Sequence, residues 1–508
     1  MELPLTPLDL LARARRLFSE RVGVIDGELQ WTYGQFAERC DRLAHLLQRE
    51  VGVRPGDVVA WLCGNTHDLL EAYYGVLLAG GVLLPLNIRL APAELRAILD
   101  DSGAVALFRH PAEDDPVHSV RTIVLDQTYD ALLAAQPDQP PAPIVVDEHA
   151  AAELFYTSGS TGSPKGALLS HRGLYLHAIH SALTMGLSGE DVVLHTIPLF
   201  HVNGWGTPHY VTGLGGVHVL LPRFEAVDVL RLIALHRVTR LFLVPTMARM
   251  LLDHPAIAGH DLSSVGQISV GGAPAGPDLL SELETAFGCP CICGYGMTES
   301  GPTLTRSLPK PGSPSTLAQR ATTGLPILGV DVRVLGDHDR EVRWDGTSVG
   351  EVCARSNHVM IGYLGAPDDT AAVLRGGWLR TGDLAVVDPD GYITIVDRAK
   401  DLIISGGENV SSVEVEQALE SHPAVREAAV IAVSDQRWGE VPWAYVSLRD
   451  GADTTERELI TWVEDRLAGF KVPKRVAIIH DLPKGGTGKI RKATLRDMAG
   501  KAAPTPPT

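Results

Sequence analysis

The sequence has few aromatic residues, few cysteines and no excess of positive charge. Of its 508 residues, 6% are aromatic and six are Cys. Six cysteines in a chain of this length do not make a disulfide framework. The net charge of −17 argues against nucleic acid or an anionic membrane as the main partner, because both require a cationic face. An anionic ligand must therefore be held by local donors.

Long hydrophobic runs and an N-terminal targeting signal are also lacking. The first residues, Met1 to Leu5, do not form a basic region followed by an apolar core. The longest charge-free stretch, residues 72–88, is interrupted by glycines and Pro85 and is short for a membrane span. We therefore expect a cytoplasmic enzyme with no integral membrane segment.

Three of the cysteines alternate along a segment that reads as a buried strand. Cys289, Cys291 and Cys293 have no second cluster of metal ligands at a suitable spacing. We interpret them as small core residues.

The hydrophobic pattern alternates between helix and strand signals through the first 300 residues. Helical spacing occurs at residues 36–47, 68–79 and 229–238, and short apolar runs occur at 58–63, 241–244 and 268–270. Such alternation predicts an α/β fold with mixed or parallel sheets covered by helices. After about Asp397 the pattern becomes that of a compact α+β unit. We predict a large N-terminal domain of layered α/β sheets (residues 1–397), a hinge (398–402) and a small mobile C-terminal α+β domain (403–508) with a flexible tail.

One loop combines hydroxyl side chains, glycines and a lysine: Tyr156-Thr157-Ser158-Gly159-Ser160-Thr161-Gly162-Ser163-Pro164-Lys165-Gly166. Glycines allow successive backbone N–H groups to converge on one anion, and the hydroxyls and the lysine add donors. The apolar residues on both sides predict a hairpin loop inside a domain rather than a flexible linker. Because Lys165 follows Pro164 and precedes Gly166, this is not the Walker pattern. A different ATP-using family is indicated.

Further short motifs follow this loop in a fixed order: Gly271-Gly272-Ala273-Pro274, Gly294-Tyr295-Gly296-Met297-Thr298-Glu299, Thr381-Gly382-Asp383, Asp397-Arg398, Gly406-Gly407-Glu408-Asn409 and Gly488-Lys489. In this order they resemble the adenylate-forming superfamily, and most of all its fatty-acyl-CoA synthetases and AMP-dependent acyl-CoA ligases. The likeness runs from about Trp31 to Lys492. It implies that a carboxylate reacts with MgATP to give an acyl-adenylate and pyrophosphate, after which a nucleophile displaces AMP.

The resemblance also implies a nucleotide site. The β- and γ-phosphates are wrapped by the loop residues Thr157, Ser158, Gly159, Ser160, Thr161, Gly162 and Lys165. Glu299 holds Mg²⁺ and Thr298 contacts the α-phosphate. Adenine lies against Tyr295 and the backbone edge of Gly272, Ala273 and Pro274, with Gly296 and Met297 in the same site. Asp383 accepts from the ribose hydroxyls, and Arg398 lies near the ribose or the α-phosphate.

Two lysines have distinct implied roles in the C-terminal part of the chain. Lys489, in a loop with three glycines, is the candidate catalytic residue that bridges the attacking carboxylate and ATP. Lys400 lies where the family places its domain hinge. Rotation there would withdraw Lys489 after the first step and bring Gly406-Gly407-Glu408-Asn409 to the cleft.

The acid and its acceptor are less well defined by the sequence. Residues 198–205 resemble the corresponding stretch of fatty-acyl-CoA synthetases more than that of aryl-CoA ligases. His201 would line the carboxylate end of the acyl site, Trp205 resembles a gate aromatic, and Gly271 and Gly301 leave room for a substrate. His201 and Trp205 are equally compatible with ordinary core packing.

The resemblance favours CoA as the acceptor, with Trp438 and Lys474 as its contacts. Val472 stands where some CoA ligases carry arginine, so one contact to the CoA phosphates is in doubt. A free-standing carrier protein, an amine acceptor, an unusual oxyacid such as nitrite, a homodimer and a catalytically silent nucleotide-binding relative all stay open at this point.

Overall fold

A computed structural model describes residues 3–115, 120–158, 164–398, 401–405, 408–435, 437–485 and 490–502. They form two compact units. The first comprises Met1–Ala275, Leu279–Val332 and Ala354–Leu379, and the second comprises Gly276–Asp278, Arg333–Cys353 and Arg380–Thr508. Within the described ranges, no helix combines the length and the apolar composition needed to cross a bilayer.

The first unit contains a nine-stranded sheet. Its strands, in spatial order, are β15 (Leu325–Pro326), β14 (Thr305–Arg306), β13 (Cys291–Tyr295), β12 (Gln267–Val270), β11 (Arg240–Leu243), β9 (Val192–His195), β10 (Val217–Leu220), β1 (Val22–Asp26) and β2 (Leu29–Thr32). The strands from β13 to β1 are parallel, and the outer pairs are antiparallel. Cys291 and Cys293 are buried on β13, as the sequence predicts.

A seven-stranded sheet forms the second layer of this unit. Its strands, in spatial order, are β18 (Gly362–Tyr363), β8 (Pro164–Ser170), β7 (Ala151–Ser158), β4 (Val82–Pro85), β3 (Val58–Leu62), β5 (Ala106–Arg109) and β6 (Arg121–Val124). The strands from β7 to β6 are parallel, and the hairpin β7–β8 extends the sheet to β18. Parallel strands of this kind are buried on both faces by helices.

Twelve helices accompany these sheets: α1 (Pro7–Phe18), α2 (Tyr33–Leu46), α3 (His67–Leu78), α4 (Pro92–Ser102), α5 (Gln127–Ala134), α6 (His171–Met185), α7 (Val202–Leu214), α8 (Ala226–His236), α9 (Pro245–Leu252), α10 (Pro277–Phe287), α11 (Leu317–Arg320) and α12 (Pro367–Val373). Local signals set several of their ends. Thr32 and Gln35 form a capping box at the start of α2, which satisfies two backbone donors that the helix leaves free. Gly186, at φ 60°, ends α6 in the left-handed conformation.

A third sheet belongs mainly to the second unit. It consists of β16 (Val330–Leu335), β17 (Gly350–Ser356), β20 (Trp378–Val387) and β19 (Leu374–Arg375) in that order, with β21 (Ile393–Arg398) paired to β20. Its hairpin β20–β21 carries two of the predicted nucleotide contacts.

The rest of the second unit is the compact α+β body. Its sheet has the order β23 (Glu408–Val410), β22 (Ile403–Ser405), β25 (Gly439–Leu448) and β24 (Val425–Asp435), with β26 (Arg475–Ile478) paired to β25. The helices are α13 (Ser412–Glu420), α14 (Glu456–Glu464) and α15 (Lys492–Ala502). A separate apolar core, which includes Val415, Val430 and Leu459 at 0% exposure, holds this body together.

The structure confirms the predicted α/β class and the change to an α+β body in the C-terminal part. The predicted boundary at residues 397–398 stays a prediction, because Ala399 and Lys400 lie outside the described residues. The same holds for the predicted mobility of the C-terminal domain and for its tail.

Candidate functional site

The hydroxyl-rich loop connects two paired strands. In the hairpin β7–β8, Thr157 is opposite Lys165 and Ser158 is opposite Pro164. This confirms the predicted hairpin, whose two strands belong to the seven-stranded sheet. Four of the predicted phosphate-binding residues, Gly159, Ser160, Thr161 and Gly162, lie outside the described residues.

Glu299 lies beside this hairpin, although it is 142 positions further along the chain than Thr157. It belongs to the short 3₁₀ turn Thr298–Ser300 and is 6% exposed. Thr157 Oγ1 donates to its Oε1 at 3.3 Å, and Tyr363 Oη donates to the same oxygen at 2.9 Å. The predicted metal ligand and the start of the predicted phosphate loop are therefore neighbours, with one carboxylate held between two hydroxyls.

Tyr363 and Asp369 complete this corner of the site, and neither is among the residues predicted from the sequence. Lys165 Nζ is 2.6 Å from Asp369 Oδ1 and 5.5 Å from the centroid of the Tyr363 ring. Burial and the Glu299 charge raise the pKa of Tyr363, so its hydroxyl stays a donor. The only sequence signal for Tyr363 is that it is an aromatic residue beside a glycine in β18. Such a pair is too common to indicate a site.

The predicted adenine contacts follow the carboxyl ends of two neighbouring parallel strands. Gly271 to Pro274 come directly after β12, and Tyr295 ends β13. The crevice outside the carboxyl ends of parallel strands is where α/β folds bind ligands. Gly296 is required here for a separate reason, since a Cβ on it would lie 1.8 Å from the carbonyl oxygen of Pro302.

The predicted acyl residues lie around an unusual first turn of α7. Residues 202–206 all have positive φ, with Trp205 at φ 67°. The buried carboxylate of Glu153 anchors this turn, because Asn203 Nδ2 donates to it at 2.9 Å. The turn brings the Trp205 ring to Gly271, where a Cβ would lie 3.1 Å from the ring edge. Left-handed backbone in a non-glycine residue is costly and concentrates at functional sites.

The structure gives less information about the other two predicted acyl residues, His201 and Gly301. His201 is the residue that precedes α7. Gly301, at φ 62°, follows the Glu299 turn, and a Cβ on it would lie 2.1 Å from the His358 carbonyl oxygen. Close packing of the chain on itself thus accounts for Gly301, and its role toward a substrate stays a prediction.

Asp383 and Arg398 face each other across the hairpin β20–β21 in the second unit. They are paired residues of the ladder, and Arg398 Nε is 3.1 Å from Asp383 Oδ1. Asp383 is buried, whereas the Arg398 side chain is 50% exposed. The structure therefore brings together the two residues that the resemblance assigns to the ribose and its surroundings.

Asp397 anchors the strand that leads to the predicted hinge. Its two carboxylate oxygens accept from the backbone N–H groups of Arg398 at 2.7 Å and Ser412 at 2.6 Å. Burial raises the pKa of Asp397. The carboxylate thus ties the end of β21 to the start of α13. Lys400, Gly406 and Gly407 lie outside the described residues.

Lys489 also lies outside the described residues, but both flanks of its loop are described. An antiparallel bridge joins Lys484 to Ile490, and the Arg491 N–H donates to the Pro483 carbonyl at 2.7 Å. The two ends of the loop that carries Lys489 are therefore adjacent to each other.

The predicted CoA contacts lie on the surface of the second unit. Trp438 is 43% exposed, with the guanidinium of Arg437 4.7 Å from its ring centroid. Lys474 is exposed, whereas Lys471 pairs with Glu414 at 2.7 Å. Val472 is buried in the core of this unit. An arginine there would have to leave the core, which gives a physical reason for the departure from the CoA-ligase pattern.

Taken by itself, the first unit presents the described ends of the hydroxyl-rich loop, a held carboxylate and two glycine-containing segments at parallel strand ends. The second unit presents a carboxylate–guanidinium pair on a hairpin. Hydroxyls, backbone N–H groups and lysine suit a polyphosphate, and a single carboxylate suits a hard cation that arrives with it.

Comparisons with known proteins agree with this chemistry. The model of the AMP-binding enzyme family matches residues 11–364, and that of the AMP-binding enzyme C-terminal domain matches residues 414–489. These matches together span most of the chain.

Curated relatives and solved structures cover almost the whole length. Feruloyl-CoA synthase of an Amycolatopsis species is 39% identical, over 96% of this chain and 98% of the relative. The peroxisomal trans-cinnamate:CoA ligase of Petunia hybrida is 34% identical, over 98% of this chain and 94% of the relative. The o-succinylbenzoate CoA synthetase of Bacillus subtilis, solved with its acyl-adenylate, has a TM-score of 0.86 at 32% identity and covers 98% of this chain and 99% of its own. The chain therefore belongs to the AMP-binding enzyme family, among the adenylate-forming acyl-CoA ligases.

Proposed function

We propose that this protein activates a small carboxylic acid with MgATP and transfers the acyl group to CoA. In the first step a carboxylate oxygen bonds to the α-phosphorus of ATP, the bond to the β-phosphate bridging oxygen breaks, and pyrophosphate leaves. In the second step the CoA sulfur bonds to the acyl carbon, the bond to the AMP oxygen breaks, and the thiol proton is lost to solvent. The products are acyl-CoA and AMP.

The observation that carries this proposal is the position of Glu299. Its carboxylate lies between Thr157, at the start of the hydroxyl-rich loop, and Tyr363, and it follows Thr298 in the same turn. Charge builds up on the phosphates as pyrophosphate leaves, and donors that are already oriented stabilise it without reorganisation. Lys165 on the opposite strand of the hairpin adds a cation to the same corner.

The residues present fit Mg²⁺ that is bound together with ATP. Across the described part of the chain, no three His, Cys, Asp or Glu side chains are grouped so that they could hold a metal. Mg²⁺ in phosphate-transfer sites uses one or two carboxylates and completes its shell with substrate phosphates and water. Glu299 would supply that carboxylate. When bound, the ion offsets phosphate charge, while Thr157 and Tyr363 keep the carboxylate oriented.

CoA is the acceptor best supported by the relatives, since both curated proteins are named for CoA thioester formation. Exposed Trp438 and Lys474 offer a ring and a cation for it. No observation favours a carrier protein or an inorganic oxyacid, whereas an amine acceptor has some support from a solved structure named an amide bond synthetase, of Marinactinospora thermotolerans, at 30% identity and a TM-score of 0.86. These alternatives, like the homodimer and the cytoplasmic location, stay untested predictions.

The test of this function is ATP-dependent pyrophosphate release across a panel of aliphatic and aromatic acids, with and without CoA, followed by mass spectrometry of the products. We expect an acyl-CoA thioester and AMP in equal amounts with at least one acid. Strong pyrophosphate release that never yields a thioester would point to another acceptor and contradict the second step.

Tyr363→Phe is expected to weaken the apparent affinity for Mg²⁺ more than the apparent affinity for the acid. The substitution removes the hydroxyl that donates to Glu299, and loss of such a partner typically costs about 10-fold in metal affinity. The Mg²⁺ concentration at half-maximal rate should rise accordingly.

Tyr129→Phe is the matched control. The Tyr129 hydroxyl also donates to a buried glutamate, Glu71, at 3.4 Å, but it lies outside the proposed site. This variant should keep the Mg²⁺ dependence of the wild type. The same shift in both variants would show that the Tyr363 effect is a loss of stability.

A further inference from the structure

Arg306 is a buried cation that forms no ion pair with the carboxylates in the described ranges. It lies on β14 and is 3% exposed. Its Nη1 donates to Ser269 Oγ at 2.9 Å, while its Nε has no partner. None of the described Asp or Glu residues forms an ion pair with it, and burial lowers the pKa of Arg306. A buried guanidinium with an unsatisfied N–H is costly, so a ligand that supplies an acceptor would be bound strongly.

The position of Arg306 relates it to the predicted acyl pocket. Its guanidinium carbon lies 5.9 Å from the centroid of the Phe242 ring. Phe242 in turn packs edge-to-face against Trp205, with ring centroids 6.2 Å apart. Trp205 reaches Gly271, next to the predicted adenine contacts. Arg306 therefore lies one aromatic ring beyond Trp205, and it is opposite Gly294 in the pairing of β13 with β14.

The described polar groups around Arg306 are hydroxyls and imidazoles rather than carboxylates. Tyr210 is buried, its hydroxyl has no partner, and the Arg306 charge acts on it. His177 is kept neutral, because burial and then the neighbouring His358 and Arg306 hold its pKa well below the usual range. Its Nε2 is already engaged with Ser181 at 3.0 Å. Among the described residues, Arg306 Nε and Tyr210 Oη are thus buried without a partner, as is Nε2 of His358, whose ring lies 5.4 Å from that of His177.

We propose that Arg306 recognises the far end of the acid, and that the preferred substrates carry an oxygen acceptor there. The acceptor is a carboxylate or a hydroxyl at the end opposite to the carboxyl group that is adenylated. This inference rests on the proposed acid activation and assigns its substrate class. An oxygen at that position accepts from Arg306 Nε, and a carboxylate also compensates the guanidinium charge. Methyl-terminated acids of equal length leave both Arg306 Nε and Tyr210 Oη unsatisfied.

Matched pairs of acids test this assignment: adipate against hexanoate, and para-hydroxycinnamate against para-methylcinnamate. The readout is kcat/KM for ATP-dependent pyrophosphate release. We expect the wild type to prefer at least one oxygen-terminated acid over its methyl partner by about 10- to 100-fold, the range for a hydrogen bond to a charged group. The pair that shows the preference distinguishes a carboxylate from a phenolic hydroxyl.

Arg306→Met should abolish that preference, because it keeps an unbranched apolar stem and removes the guanidinium. Arg306→Lys, which keeps a positive charge, should retain part of the preference. The control is Arg240→Met, on strand β11 of the same sheet, where the guanidinium is already paired with Asp191 at 2.7 Å. This control should keep the wild-type preference even if it lowers the melting temperature.

Three outcomes would overturn the inference. Equal or higher kcat/KM with both methyl-terminated acids in the wild type contradicts the role of Arg306 and leaves the proposed function standing. An equal loss with both members of a pair in Arg306→Met, at an unchanged melting temperature, contradicts recognition of the far end. If Arg306→Met does not fold, the inference is tested by the matched pairs of acids with the wild type and with Arg306→Lys. Absence of pyrophosphate release with every acid overturns the proposed function as well.

Discussion

Glu299→Gln is expected to reduce adenylate formation by at least about 100-fold, comparable to removing one preorganised group from a reacting centre. The amide keeps the size of the side chain and can still accept from Thr157 and Tyr363 through its oxygen. It loses the negative charge that a hard cation requires. The defect should therefore be in metal use rather than in folding.

The measurement is acid-dependent pyrophosphate release over a range of Mg²⁺ concentrations. Raising Mg²⁺ should recover part of the activity, whereas raising ATP at fixed Mg²⁺ should not. Glu282→Gln is the control, because Glu282 pairs with Arg249 on the protein surface at 2.6 Å and should behave as wild type. A wild-type Mg²⁺ profile for Glu299→Gln would remove Glu299 from the proposed site.

Lys489→Ala is expected to lower adenylate formation by about 100- to 1,000-fold while ATP binding is largely retained. Lys489 lies outside the described residues, and its role is proposed from the resemblance. An ammonium group between the carboxylate and ATP would offset the repulsion of two anions in the first step. It would have no such task in the second step.

Half-reactions separate these two steps. Lys489→Ala should still convert a supplied acyl-adenylate to the thioester with CoA. Lys484→Ala is the matched control from the same loop, since Lys484 is already paired with Glu427 at 2.8 Å, and it should show little loss in either step. Near wild-type pyrophosphate release by Lys489→Ala would contradict the assignment.

Much of the local structure could be predicted from the sequence because it depends on neighbours in the chain. The hairpin that carries Thr157 and Lys165 follows from apolar runs on both sides of a Gly- and Ser-rich loop. The hairpin that pairs Asp383 with Arg398 is equally local, since a short turn separates its two strands, but it is not among the predicted elements. In both cases the residues of interest are within twenty positions of each other.

The contacts that complete the candidate site could not be predicted in this way. Tyr363 reaches Glu299 only because β18 pairs with β8 at the edge of the seven-stranded sheet. The lack of an ion pair between Arg306 and the described carboxylates depends on which strands and helices pack around β14. The left-handed turn that carries Trp205 depends on the buried carboxylate of Glu153. Each of these requires the order of strands in a sheet, which local patterns do not encode.

The most direct test of adenylate formation follows the oxygen atoms of the acid. An acid labelled with ¹⁸O in its carboxyl group is incubated with the enzyme, ATP, Mg²⁺ and CoA, and the masses of the products are measured by mass spectrometry. If the carboxylate attacks the α-phosphorus, AMP carries one labelled oxygen and pyrophosphate carries none. Unlabelled AMP, or label in inorganic phosphate formed together with ADP, would contradict the account.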